Sequence, residues 1–105
     1  MVSSKAFLEY ILGQLSDLDD VAYRPMMGEF IIYYRGKIVG GIYDDRFLVK
    51  PVRSAVEYLG KAPFAVPYEG AKEMLLVEDT GDKKFLAGLL EAMIGDLPEP
   101  KNKKG

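Results

Sequence analysis

The chain has 105 residues, 49% of them hydrophobic and 29% charged, and a formal net charge of −2. This length and balance predict one globular domain, and they argue against a disordered chain or two domains. Because the sequence contains no cysteine and no histidine, disulfides, zinc–thiolate sites and catalysis by an imidazole or thiol are excluded. We therefore predict no metal site and no cofactor.

Charge is divided unevenly between the body of the chain and its C-terminal end. Residues 98–105 contain three lysines and one glutamate, a net +2, which leaves −4 on residues 1–97. A mildly acidic body does not attract a phosphate backbone through its net field, which argues against direct nucleic-acid binding. The chain has no apolar stretch of about 18 residues and no signal-peptide pattern. We expect a cytoplasmic domain over residues 1–97, a disordered basic tail over 98–105, and no membrane contact.

The first predicted element is an amphipathic helix that begins at Ser3 or Ser4. Its apolar stripe consists of Phe7, Leu8, Ile11, Leu12 and Leu15. The acidic run at residues 17–20 opposes the helix dipole, so the helix is expected to end by about Ser16.

Residues 21–50 have the pattern of an antiparallel meander of about four strands. Pro25 interrupts the first strand and belongs at a sheet edge or a bulge. Residues 30–34 form a continuous apolar and aromatic run, which is typical of a strand covered on both faces. Turn signals at residues 35–36 and 44–45 separate the later strands. Because three short helices cannot cover both faces of the sheet, we expect a homodimer formed through one face.

Two adjacent glycines, Gly40 and Gly41, lie inside the third predicted strand. Glycine weakens a strand unless a neighbouring group needs the space that a side chain would fill. Two explanations are open at this stage. Either a helix packs closely across the sheet at this point, or a ligand approaches the backbone there.

The next segment predicts a helix, a loop and a strand. Ser54 and Glu57 have the spacing of a capping box, which predicts a helix of about two turns that ends at Gly60. Residues 61–70 contain two prolines and a terminal glycine and predict a loop. Residues 71–78 predict the last strand.

The final predicted helix begins after Asp82 and ends at Gly95. The preceding Asp79-Thr80-Gly81 matches the aspartic-protease signature, but the chain that follows cannot supply the strands of that fold, so a helix-entry turn explains it better. Without another acid–base constellation, we predict that the protein is not an enzyme. The order of elements predicts an α+β fold, with helices on one face of a mostly antiparallel sheet of four or five strands.

The layout resembles the N-terminal domain of the TfoX/Sxy family of bacterial competence regulators. The residues that carry the resemblance are Arg24, Met26, Gly28, Phe30 and Tyr33, followed by Gly36, Lys37, Ile42, Asp44, Asp45, residues 47–50, Pro63 and Phe64. Pro25, Met27 and Glu29 depart from the family pattern, which has an arginine, a phenylalanine and a glycine there. The helical C-terminal domain of the full-length regulators is not expected in 105 residues.

The resemblance implies an α+β fold and a non-enzymatic regulatory role, since the competence regulators act with the cAMP-responsive catabolite activator at promoters. We therefore expect a small binding module that works through protein–protein contact in transcriptional regulation. The predicted contact region consists of Arg24, Met26, Gly28, Lys50 and Arg53. The alternative is an anionic-ligand binder or an enzyme in which Arg24 and Lys50 hold the anion.

Overall fold

The computed structural model describes residues 3–98. Its elements are α1 (Lys5–Gln14), β1 (Val21–Met26), β2 (Glu29–Tyr34), β3 (Lys37–Ile42), β4 (Phe47–Val49), α2 (Arg53–Leu59), β5 (Phe64–Ala65), β6 (Met74–Leu76) and α3 (Lys83–Met93), with a 3₁₀ turn at Ile94–Asp96. Apart from Pro98, the segment expected to be a disordered tail lies outside the described residues.

The six strands form one antiparallel sheet in the order β1-β2-β3-β4-β6-β5. The predicted α+β class is therefore confirmed, and the meander of residues 21–50 supplies its first four strands. The additional strand, β5, has only two residues and lies within the segment predicted to be a loop. Two residues are too few to show the alternating pattern of a strand, so the sequence does not reveal β5. It is a strand only because it pairs with β6.

The hydrophobic core lies between the three helices and one face of the sheet. α1 contributes the buried residues Leu8, Ile11 and Leu15, α3 contributes Leu86, Leu89, Leu90 and Met93, and the sheet contributes Ile32, Tyr34, Ile42, Phe47, Val49 and Leu75. The buried helix residues recur at helical spacing, and the buried strand residues come from one face of the sheet. This confirms that the helices cover a single face.

Two-residue turns join the first four strands, and both central residues of each turn have positive φ. The central pairs are Met27-Gly28, Arg35-Gly36 and Asp44-Asp45. In the last turn, the Tyr43 N–H donates to the Arg46 carbonyl at 2.9 Å and the Arg46 N–H donates back at 3.1 Å. This left-handed geometry matches the twist of paired strands, so each turn fixes the register of its hairpin.

Gly40 and Gly41 provide room for neighbouring strands and for an aromatic ring. A Cβ on Gly40 would lie 2.0 Å from the Leu48 carbonyl oxygen, in β4. A Cβ on Gly41 would lie 2.5 Å from the Phe30 carbonyl oxygen and 2.8 Å from the Tyr43 ring. Close packing therefore accounts for both glycines, but the expected neighbour was wrong, because strands and a tyrosine fill the space rather than a helix.

The predicted capping box at the start of α2 is also wrong. The helix begins at Arg53, and Glu57 pairs with Arg53 at 3.1 Å instead of returning to the helix N-terminus. The Ser54 backbone N–H donates to Asp96 Oδ2 at 3.0 Å. A carboxylate from the turn after α3 thus caps α2, and this contact between distant residues has no signature in the local sequence.

Replacing Gly40 by alanine tests the close approach of β3 and β4. We expect Gly40→Ala to lower the free energy of unfolding by about 2–3 kcal/mol, because the new methyl group meets backbone atoms that cannot move aside. Urea denaturation measures the change. Gly13→Ala is the matched control, since a Cβ at Gly13 meets nothing within 4 Å and lies in α1, where alanine is favoured by up to about 1 kcal/mol. Equal effects of the two substitutions would contradict the packing described above.

The Asp96 cap predicts a dependence of stability on pH. The Ser54 hydroxyl and backbone N–H lower the pKa of Asp96 below its ordinary value, and Arg53 adds to the effect. A lowered folded-state pKa stabilises the fold above the ordinary carboxyl pKa, and this stabilisation is lost as the pH falls through the folded-state pKa. We expect Asp96→Asn to lower the Tm at neutral pH, with a difference from wild type that shrinks in acid. Thermal melts across this range measure it, with exposed Asp19→Asn as control; a difference independent of pH would contradict the cap.

Candidate functional site

The face of the sheet opposite the helices is the first feature of the candidate site, and we call it the open face. Paired residues of antiparallel strands project to the same face, so the register identifies its members. The central row consists of Arg24, Ile31, Gly41, Leu48 and Leu76, each paired with the next. The helices pack on the other face, in the hydrophobic core. The open face is therefore covered only by loops and by the side chains of the strands themselves.

The connection between β5 and β6 covers part of the open face. Tyr43 packs over Gly41, and the Tyr43 and Tyr68 rings lie 6.0 Å apart between centroids. Arg46 Nη2 donates to the Val66 carbonyl at 3.2 Å and fastens the connection to the β3–β4 turn. Cover is lighter at the β1–β2 end of the face, where Ile31 is only half-buried and Arg24 is exposed.

A groove of about 560 Å³ lies next to this connection. Its apolar lining includes Ile38, Pro51, Val52, Pro67, Ala71 and Met74. Its polar lining includes Tyr43 and Tyr68, two lysines, Lys50 and Lys72, and Glu73. The groove thus combines an apolar surface with an excess of positive charge.

The outer edge of β1 is the second feature of the candidate site. In a hairpin with a two-residue turn, the residues that flank the turn, here Met26 and Glu29, form a hydrogen-bonded pair. Hydrogen-bonded and non-hydrogen-bonded pairs then alternate along the two strands. Val21, Tyr23 and Pro25 therefore direct their backbone groups away from β2. Pro25 has no N–H to offer, so Val21 and Tyr23 supply the donors of this edge, and among the described strands none pairs with it.

The predicted contact residues fall into separate regions of the molecule. Arg24, Met26 and Gly28 lie in β1 and the turn after it, whereas Lys50 lines the groove and Arg53 begins α2. Arg24 and Lys50 belong to the same face, but β2 and β3 separate their strands by about 14 Å at ordinary strand spacing. The structure therefore does not bring this pair together around one small anion.

Buried polar groups hold the β1–β2 turn in place. The Glu29 side chain, 7% exposed, accepts hydrogen bonds from the Ser3 hydroxyl and from the Asp44 N–H, the latter at 3.1 Å. The Ser3 N–H donates to the Gly28 carbonyl at 3.0 Å, and the Ser3 hydroxyl accepts from the Asp45 N–H at 3.1 Å. These contacts tie the segment before α1 to the β1–β2 and β3–β4 turns.

Tyr43 is a buried tyrosine in the lining of the groove. Burial raises its pKa, and the neighbouring Tyr68, Glu29 and Tyr33 raise it further. The phenol therefore remains neutral at physiological pH and can act as a hydrogen-bond donor. Among residues 3–98, no group accepts a hydrogen bond from it.

Sequence reasoning missed Glu29, Tyr43 and Lys72 as site residues. Glu29 departs from the family pattern, and an acidic residue within an apolar strand is itself a signal of a buried polar contact. Lys72 lies in a loop-like stretch without any pattern, and only the pairing of β4 with β6 places it near Lys50.

Comparisons with known proteins give one distant relative. No family model matches the chain, and no solved structure matches it. The chain is similar to an uncharacterized 12.7 kDa protein from the trpE 5′ region of Spirochaeta aurantia, with 28% identity over 105 residues. The match covers 99% of this chain and 91% of the relative, so it spans the whole fold.

Residues 3–98 contain neither a membrane-spanning helix nor a cluster of metal ligands. No helix there is long and apolar enough to cross a membrane. No group of three or more carboxylates in that part of the chain is arranged to hold a metal ion.

Replacing Glu29 tests whether the buried carboxylate holds the β1–β2 turn. We expect Glu29→Ala to lower the free energy of unfolding by about 2 kcal/mol, because the Ser3 hydroxyl and the Asp44 N–H lose a charged acceptor. Urea denaturation measures the loss, with exposed Glu9→Ala on α1 as the matched control. A loss no larger than that of the control would show that the carboxylate does not hold the turn.

Proposed function

We propose that this chain is a small non-enzymatic binding module that acts through protein–protein contact in transcriptional regulation. The observation that carries the proposal is the free outer edge of β1, whose backbone donors at Val21 and Tyr23 have no strand beside them in the described sheet. A strand of a partner can add to such an edge and gain main-chain hydrogen bonds.

The side chains of β1 suit a protein contact. Tyr23 is 41% exposed on the helix-covered face, and Met27 in the turn is 93% exposed. Arg24 projects from the open face beside this edge and can pair with a carboxylate of the partner. The edge thus offers backbone donors, apolar area and one cation along a single strand.

The resemblance to the TfoX/Sxy family supports the regulatory part of the proposal. The residues that carry it extend over most of the chain, and Arg24, Met26 and Gly28 among them lie in β1 and the turn that follows. The free strand edge is what selects β1 as the contact, and it leaves Lys50 and Arg53 outside the proposed contact.

A second copy of the chain is one partner that this edge accommodates. If two β1 strands pair antiparallel about Tyr23, the Val21 N–H of each copy faces the Pro25 carbonyl of the other. Pro25 contributes its acceptor and lacks only a donor, so the pairing is tolerated but weakened. This geometry supports the expected homodimer through a strand edge instead of through a sheet face.

Affinity capture from native lysate tests the proposal. We expect the wild-type chain to retain a protein of the transcription machinery, or its own copy, and Arg24→Glu and Tyr23→Pro to lose it. Tyr23→Pro removes an outward N–H while leaving the bonds to β2 intact. Mass spectrometry identifies the retained proteins, and light scattering measures the mass of the purified chain.

Lys84→Glu, on the exposed side of α3, is the matched charge reversal and should retain the same proteins as wild type. Thermal melts establish that each variant is folded. Capture of the same proteins by all variants would overturn the β1 contact. Tight, salt-dependent binding to duplex DNA by the chain alone would overturn the protein-contact mechanism.

A further inference from the structure

We propose that the groove on the open face is a binding site for a small amphipathic carboxylate. Lys50 and Lys72 receive the acid group, and the apolar lining receives the rest of the molecule. This proposal goes beyond the protein contact at β1 and does not depend on it, because Lys50 is three strands away from that edge. It also differs from the Arg24–Lys50 pair expected from the sequence, since the partner of Lys50 is now Lys72.

The strand register brings the two lysines together. Val49 pairs with Leu75, so continuing the ladder by one residue places Lys50 opposite Met74. Lys72 lies two residues before Met74, and alternate residues of an extended chain project to the same face. Lys72 is therefore a diagonal neighbour of Lys50 on that face. Both residues line the groove.

Neither lysine is neutralised within the protein. Among residues 3–98, no carboxylate forms an ion pair with the side chain of Lys50 or Lys72. Glu73 also lines the groove, so the lining carries two positive charges and one negative charge. A ligand with a single carboxylate balances this excess, whereas a multiply charged phosphate would exceed it.

The Tyr43 hydroxyl adds a further donor at the same site. Tyr43 lines the groove, and its hydroxyl is open to solvent and makes no hydrogen bond within the described residues. The hydroxyl can therefore donate to a ligand. A carboxylate oxygen in the groove is a suitable acceptor.

The size and the backbone of the groove favour a small molecule over a peptide. Its volume of about 560 Å³ falls within the range of sites for small ligands. The strands β3 and β6, which contribute Ile38, Gly40 and Met74 to its lining, are both paired with β4, so an extended peptide finds no free strand edge between them. Recognition therefore rests on side chains, which suits an apolar body with one acid group.

Titration with 4-phenylbutyrate, followed by amide NMR shifts, tests the site. A ligand of this size is expected to bind with a Kd on the order of millimolar. We expect shifts at residues 38–43, 50–52 and 67–74. The uncharged 4-phenylbutyramide should bind about tenfold more weakly, because it cannot pair with the lysines. Inorganic phosphate should cause no comparable shifts, because it has no apolar part.

Variants separate the groove from the rest of the surface. The double variant Lys50→Met, Lys72→Met should weaken 4-phenylbutyrate binding about tenfold and abolish the preference over the amide. Lys61→Met, outside the groove, and Arg24→Glu, at the β1 edge, should bind like wild type. Absence of shifts, shifts elsewhere, equal affinity for acid and amide, or an unchanged double variant would each overturn the proposal. Loss of protein capture by Arg24→Glu would leave it standing.

Discussion

A six-stranded sheet with all three helices on one face sets the constraint on which the rest of this structure depends. The helices bury most of one face, and the other face is covered only by side chains and by the connections between elements. The Tyr43–Tyr68 contact and the Arg46–Val66 hydrogen bond hold the β5–β6 connection over part of the open face. The groove lies where that cover stops, and the exposed residues of β1 lie where no cover reaches.

The tight turns between the first four strands determine which side chains lie on each face of the sheet. Each two-residue turn admits one register, so the side chains of the first four strands have their faces assigned once the turns form. The buried Glu29 then connects two of these turns to the segment before α1, which aligns the first helix with the sheet. The Asp96 cap does the same for α2 from the end of α3. Polar contacts at element ends thus position helices that apolar packing alone would leave free to slide.

The two proposed binding surfaces use different physical means. The β1 edge offers backbone hydrogen bonds in a row, which suit another strand and give little preference for a particular side chain. The groove offers apolar side chains and two lysines around an open depression, which suit a ligand with an apolar part and a negative charge. They lie at opposite parts of the sheet, so one molecule can present both to different ligands.

Local patterns in the sequence determined the α+β class, the helical stripe of α1, the tight turns and the start of α3 after Asp82, because these depend on residues a few positions apart. The sequence left Ser3 and Ser4 open as the start of α1, and the structure has Ser4 as the N-cap. The sequence also indicated that a neighbouring group needs the space beside Gly40 and Gly41, with a packed helix and a ligand as the two explanations. Only the tertiary structure decided what packs there, that Asp96 and not Ser54 caps α2, and that Lys72 rather than Arg24 neighbours Lys50. Each of these joins residues from different elements, and strand pairing, which is non-local, brings them together.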